Sequence, residues 1–153
     1  MGVAGGGGGL LKILVVDDHP LVRAGLEAVI ASEEDMCLQG SVDSVADALD
    51  CMRRSPVDVV LLDLRLRSES GLDLVRQARR EGLDCRFLVL TSATGQQDFR
   101  YAMDLNVEGY VLKDALPEEL LLAIRIVSKG RRYFDPSFMG DLDGQQRPTH
   151  REG

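Results

Sequence analysis

Apolar residues arrive in short bursts along this chain, and the spacing of the apolar positions changes between bursts. β-Branched or leucine-rich runs recur at residues 12–16, 36–42, 57–62, 86–91 and 109–112, the composition that suits a pleated, buried surface. Between them, apolar positions repeat with helical spacing over 20–31, 44–54, 71–81, 96–106 and 117–129, the period of one helix face. Five strands thus alternate with five helices. Local signals mark the helix ends: Ser44 with Asp47 three residues on resembles a capping box, Pro20 and Pro117 suit a first helical turn, and Asn106 suits a left-handed C-terminal cap. The run VDVVLL at 57–62 is nearly continuously apolar, as in a parallel strand covered on both faces. Right-handed crossovers then predict an α/β fold, a doubly wound five-stranded parallel sheet in the order 2-1-3-4-5.

Periodicity fades at both ends. Residues 5–9 are consecutive glycines, yet no Gly-Lys-Ser/Thr follows and no strand precedes them, so a phosphate-cradling loop fits poorly. Residues 1–10 read as a flexible Gly-rich leader, 11–134 as one domain, and 135–153 as a C-terminal linker or tail that leaves room for a short docked segment through Phe138. A chain of 153 residues, 44% hydrophobic and 28% charged, is the size and composition of one soluble domain with a real core. No apolar run approaches the ~20 residues of a membrane span, and Gly6 stands where a myristoylation signal wants Ser or Thr, so a cytoplasmic location is expected. The formal net charge of −7 argues against direct binding of a phosphate backbone by this chain. Cys37, Cys51 and Cys85 are odd in number and form no C-x-x-C pattern, which predicts small buried apolar residues rather than a disulfide framework or a zinc site.

The candidate chemistry lies at the strand ends. In open parallel sheets, ligands gather at the carboxyl ends of strands where the strand order reverses. Asp17 and Asp18 follow the first strand and Asp63 the third, neighbours in the predicted order. Two unit charges about 4 Å apart repel by roughly 4 kcal/mol at an effective dielectric of 20, so such a cluster must take up protons or hold a cation. An all-oxygen ligand set suits a hard ion, and Mg²⁺ fits best. FLVLTS brings the Thr91 hydroxyl to the same crevice, and GYVLKD brings the Lys113 ammonium. Singly, each has an ordinary explanation: Asp as a turn residue, Thr91 as a loop cap, Lys113 as a solvated charge. Jointly they would surround a phosphoryl group and neutralise its charge. His19 follows the acidic pair, and a helix-entry role is preferred to tuning of the pocket's pH response.

At these residues the sequence resembles the receiver domain of two-component response regulators. The likeness covers roughly residues 11–133 and is carried by ILVVDDHPLVRAGL, PVDVVLLDLRL, LVLTSA and GYVLKDALPEELLLAI, which are most similar to the NarL/LuxR-type branch. The resemblance implies a flavodoxin-like, CheY-like fold and a phosphoacceptor, not a turnover enzyme, with weak Mg²⁺-dependent self-phosphorylation and autodephosphorylation. On this likeness Asp63 accepts the phosphoryl group from a sensor histidine kinase. Asp18 is a direct metal ligand, Asp17 acts through water, and the backbone carbonyl of Arg65 completes the protein ligands. Lys113 and Thr91 hold phosphoryl oxygens, and Tyr110 is the aromatic switch that rotates inward when the Thr91 hydroxyl moves to the phosphate. Arg67 stands where many receivers have Pro, Gly71 is retained, and Asp114 follows Lys113. The branch usually carries a DNA-binding domain, which implies transcriptional control. The alternatives are an unphosphorylated pseudo-receiver acting as an interaction module, and a flavodoxin-like small-molecule binder or hydrolase. The latter lacks a glycine loop after the first strand.

The last helix raises a separate expectation. At 100° per residue, Leu120, Ala123, Ile124 and Val127 form the stripe that covers the sheet, while Leu122 and Ile126 fall opposite. Either the segment around Tyr133 and Phe134 folds over them, or the first and last helices, with Leu21 at the edge, form a homodimer strengthened by phosphorylation.

Overall fold

The computed structural model describes residues 9–92 and 96–138. Along the chain lie β1 (Leu11–Val16), α1 (Pro20–Ala31), β2 (Met36–Val42), α2 (Val45–Arg54), β3 (Val59–Asp63), the short β4 (Arg65–Leu66) and β5 (Glu69–Ser70), α3 (Leu72–Arg80), β6 (Arg86–Thr91), α4 (Gln96–Asp104), β7 (Gly109–Leu112), α5 (Pro117–Ser128) and β8 (Tyr133–Phe134). The main sheet has the order β2-β1-β3-β6-β7-β8, with every pair parallel. Its first five strands have the predicted order. The expected strand count is corrected from five to six, because Tyr133 and Phe134 pair with Gly109 and Tyr110 on the open edge of β7. Two residues carry no periodicity of their own, and it is the unpaired edge that makes them a strand. Of the expected leader, only Gly9 and Leu10 are within the described residues, and the tail beyond Phe138 lies outside them.

Capping follows the sequence closely. The Asp47 amide donates to Ser44 Oγ at 3.1 Å at the start of α2, and Pro20 and Pro117 sit in the first turns of α1 and α5. Asn106 has φ 58°, the left-handed geometry expected after α4. Strand β3 begins two residues later than the apolar run, although Val57 is still buried.

Side-chain alternation divides the apolar residues between the two faces of the sheet. Leu14, Val16, Val60, Leu62, Phe87 and Val89 meet α2, α3 and α4, whereas Ile13, Val15, Val59, Leu61, Leu88 and Leu90 meet α1 and α5. On α5, Leu120, Ala123, Ile124 and Val127 are buried against the sheet as predicted. Leu122 remains 51% exposed. Among the described residues, the segment around Tyr133 and Phe134 does not fold over it: Tyr133 donates its hydroxyl to Glu119 at 2.9 Å, and Phe134 packs into the core on the opposite face. Cys51 and Cys85 are buried and Cys37 half-buried, all as free thiols, and burial pushes the Cys85 thiol up to about 12. No helix among the described residues is long and apolar enough to cross a membrane.

Candidate functional site

The register of the parallel strands decides which residues leave the sheet together. Val16 pairs with Leu62, Asp63 with Leu90, and Thr91 with Leu112. The next residues, Asp17 beside Asp63 and Lys113 beside Thr91, therefore emerge at one carboxyl edge. The Lys113 amide still donates to the Thr91 carbonyl at 2.8 Å, which fixes the direction from which its side chain returns.

Asp17 and Asp63 are buried, and Lys113 Nζ lies between them. It donates to Asp63 Oδ2 at 2.9 Å and makes an ion-pair contact with Asp17 Oδ2 at 3.0 Å. Burial, the largest influence, holds the Asp63 pKa above the usual aspartate value; the Asp17 charge reinforces it, while Lys113 and the Arg65 amide oppose it. Burial by itself would lower the Lys113 pKa, but hydrogen bonding to the two carboxylates outweighs it and raises the pKa above the usual lysine value. One ammonium faces three carboxylates, so the cluster lacks positive charge. Asp18 Oδ1 is buried without a hydrogen-bond partner among the described residues, and the buried Asp17 Oδ2 has the Lys113 ammonium as its ion-pair partner. An unpartnered anionic oxygen beside two further carboxylates fits a hard divalent cation, and Asp17, Asp18, His19 and Asp63 offer ligand atoms all within 4.8 Å of one another.

The loop after Asp63 is built more tightly than the sequence suggested. β4 and β5 form an antiparallel ribbon, Arg65 opposite Ser70 and Leu66 opposite Glu69. The alternating text LRLR, with Leu64 and Leu66 buried, carried that signal. The ribbon reaches three ways. The Arg65 amide donates to Asp63 Oδ1 at 3.1 Å, the Arg67 amide to Asp18 Oδ2 at 2.6 Å, and Glu69 Oε2 accepts from the Val45 amide at 3.0 Å. Arg67 sits at φ 23° in the two-residue turn, where a proline could not. Behind the ribbon, Gly71 donates its amide to the Leu64 carbonyl at 2.8 Å. A Cβ there would collide with the Asp63 carbonyl oxygen, so glycine is required by close approach.

The other expected residues lie around this cluster. Thr91 is buried at the end of β6. Tyr110, in the middle of the edge pair, is fully buried with its ring turned inward. Phe99 meets it edge-on at 5.0 Å and Phe138 at 4.7 Å. Its hydroxyl has no hydrogen-bond partner among the described residues, and burial raises its pKa. Sequence reasoning missed two neighbours of the cluster, the His19 ring and the Arg67 amide. Adjacency to the acidic pair was a signal for the first; nothing in the text marked the second.

Comparison with known proteins agrees with this arrangement. Residues 13–125 match the family described as response regulator receiver domain. The chain is 36% identical over 123 residues to the nitrate/nitrite response regulator protein NarP of Escherichia coli, an alignment covering 80% of this chain and 57% of that protein. It is 34% identical over 124 residues to the response regulator UvrY of the same organism, covering 81% and 57%. The chain thus spans somewhat over half the length of these curated relatives. Among solved structures, a LuxR-family two-component response regulator from Aurantimonas superposes with a TM-score of 0.84 at 28% identity, covering 90% of this chain and 98% of that one. The receiver domain of a response regulator NarL from Mycobacterium tuberculosis gives 0.77 at 28%, covering 80% and 99%. With more than half its length matched by the family pattern and an acidic pocket at the expected strand ends, this chain belongs to the response regulator receiver domain family, in its NarL/LuxR-type branch.

Proposed function

We propose that Asp63 is the phosphoacceptor of a two-component relay, taking the phosphoryl group from a phosphohistidine of a sensor histidine kinase in the cytoplasm. The observation that carries this is the pairing of buried Asp63 with Lys113 Nζ at 2.9 Å, beside two further carboxylates, of which Asp18 keeps an unpartnered buried oxygen. In the transfer, an Asp63 carboxylate oxygen forms a bond to phosphorus as the P–N bond breaks, and the electron pair leaves with the imidazole nitrogen. Mg²⁺, when bound, neutralises charge on the phosphoryl oxygens. Asp18, Asp63, Asp17 through water, and the Arg65 carbonyl are the residues that would hold it. Lys113 stabilises the acceptor carboxylate and then a phosphoryl oxygen, and Thr91 supplies a hydroxyl to another. Gly71 lets the backbone behind Asp63 close against it.

Tyr110 reports the event: its inward ring lies against Phe99 and Phe138, so a shift of Thr91 toward the phosphoryl group is relayed to α4 and the C-terminal segment. The output in the whole protein is transcriptional control through a separate domain, as in the branch. The exposed faces of α1 and α5, with Leu21 88% and Leu122 51% exposed and Ile126 beside them, are the homodimer surface.

The test is incubation of the full chain with acetyl phosphate and Mg²⁺ followed by intact-mass measurement. One added phosphoryl group, lost in Asp63→Asn and slow to hydrolyse, is expected. Absence of the adduct in the wild type would instead make the chain an unphosphorylated interaction module.

A further inference from the structure

His19 has no part in the reading above, and its place at the helix entry, where its carbonyl accepts from the Arg23 amide at 3.0 Å, leaves its side chain to be explained. It stands at the N-cap of α1, but its side chain makes no capping hydrogen bond. The ring is turned toward the acids: Nδ1 lies 3.0 Å from Asp17 Oδ1, 3.0 Å from Asp18 Oδ1 and 3.7 Å from Asp63 Oδ2. Asp17 Oδ1 already accepts from the His19 backbone amide at 2.8 Å, besides facing the ring nitrogen. Asp18 Oδ1, on a side chain only 9% exposed, is left without a hydrogen-bond partner among the described residues and faces the same nitrogen.

A shared cation fits this geometry as well as a shared proton does. Adjacent ligands of an octahedral ion at about 2.1 Å are about 3.0 Å from each other. Nδ1 has that spacing to both carboxylate oxygens. The ring is 62% exposed at the mouth of the pocket, so it can present a lone pair without repacking the core. Imidazole nitrogen raises affinity for nickel, zinc or iron far more than for magnesium, which prefers oxygen throughout.

We propose that His19 Nδ1 is a further ligand of the Asp17, Asp18 and Asp63 cation site, and that it lets the site take a first-row transition divalent ion as well as Mg²⁺. The inference rests on the carboxylates holding a cation, as in the function proposed above. His19 completes a mixed oxygen and nitrogen set, and the identity of this one residue sets the selectivity between ion classes.

Calorimetric titration of the full chain with Ni²⁺ and, separately, Mg²⁺ tests it in wild type, His19→Ala and Asp18→Asn. The chain's other histidine, His150, is kept in every variant, so binding to it cancels. The expected result is a Ni²⁺ Kd raised about tenfold or more in His19→Ala, with the Mg²⁺ Kd changed less than about twofold, and loss of both ions in Asp18→Asn. Pulsed electron paramagnetic resonance with Mn²⁺ should show nitrogen coupling in wild type and none in His19→Ala. An unchanged Ni²⁺ affinity, an equal fall for both ions, or nitrogen coupling that survives the substitution overturns the role of His19 while leaving the phosphoacceptor reading intact. Failure of wild type to bind either ion overturns both.

Discussion

Burial raises the Asp63 pKa above its ordinary value, and this sets a measurable pH dependence. Its folded pKa lies above the ordinary 3.8, chiefly because burial disfavours the charge. The folded state therefore favours the protonated acid. Its contribution is most favourable below 3.8 and is lost as pH rises through the folded pKa, so ionised Asp63 destabilises the metal-free fold at neutral pH. Asp63→Asn should accordingly raise the thermal midpoint in EDTA at pH 7, with the gain shrinking toward pH 3.5. Added Mg²⁺ should raise the wild-type midpoint more than that of the variant, because binding to the folded state alone stabilises it. Equal midpoints at both pH values in EDTA would show that Lys113 already compensates the charge fully. At this scale the sequence was informative wherever a residue type is unusual for its position: two acids after a buried strand, a lysine after another, a glycine closing the loop. It was silent on orientation. The His19 text fits a helix entry equally well, and only the placement of the ring showed that it faces Asp17 and Asp18.

Elements were legible in proportion to the apolar residues they bury. The five long strands and five helices each carry enough periodicity to be read, whereas the β4–β5 ribbon and β8 are two-residue pieces whose partners lie elsewhere in the chain. The last described residues show what such a piece can do. Phe138 is 2% exposed, stacks on Phe99 at 5.5 Å and meets Tyr110 edge-on, while Asp135 turns the chain toward it by accepting from the Ser137 amide at 2.9 Å. Aromatic pairs of this kind contribute about 0.5–1.5 kcal/mol beyond area burial. Phe138→Ala should therefore lower unfolding free energy by about 3 kcal/mol, the low end for a buried phenylalanine. Urea unfolding followed by circular dichroism measures it. A loss below about 0.5 kcal/mol would mean that the segment leaves the Tyr110 ring in solution. Through the same contacts Phe138 would feel the movement of the Tyr110 ring in the proposed switch, which would couple the pocket to the C-terminal direction of the chain.

For the whole molecule, the question is what meets the face of α1 and α5. A stable interface buries about 800 Å² on each partner, more than the exposed Leu21, Leu116 and Leu122 side chains can supply, so the unmodified chain should be at most weakly associated. Charge opposes association as well: each copy carries a formal −7. Screening should therefore favour the dimer, since the Debye length falls from about 10 Å at 0.1 M salt to about 3 Å at 1 M. Phosphorylation would then act by ordering this face, not by improving net charge, because the phosphoryl group adds negative charge. On sizing columns with light scattering, the chain treated with acetyl phosphate and Mg²⁺ should shift toward dimer, more so at 0.5 M salt than at 0.05 M. Leu122→Glu combined with Ile126→Glu should keep it monomeric, even though Leu120, Ala123, Ile124 and Val127, the buried side of α5, are untouched. A phosphorylated double variant that still elutes as a dimer would place the contact on another face.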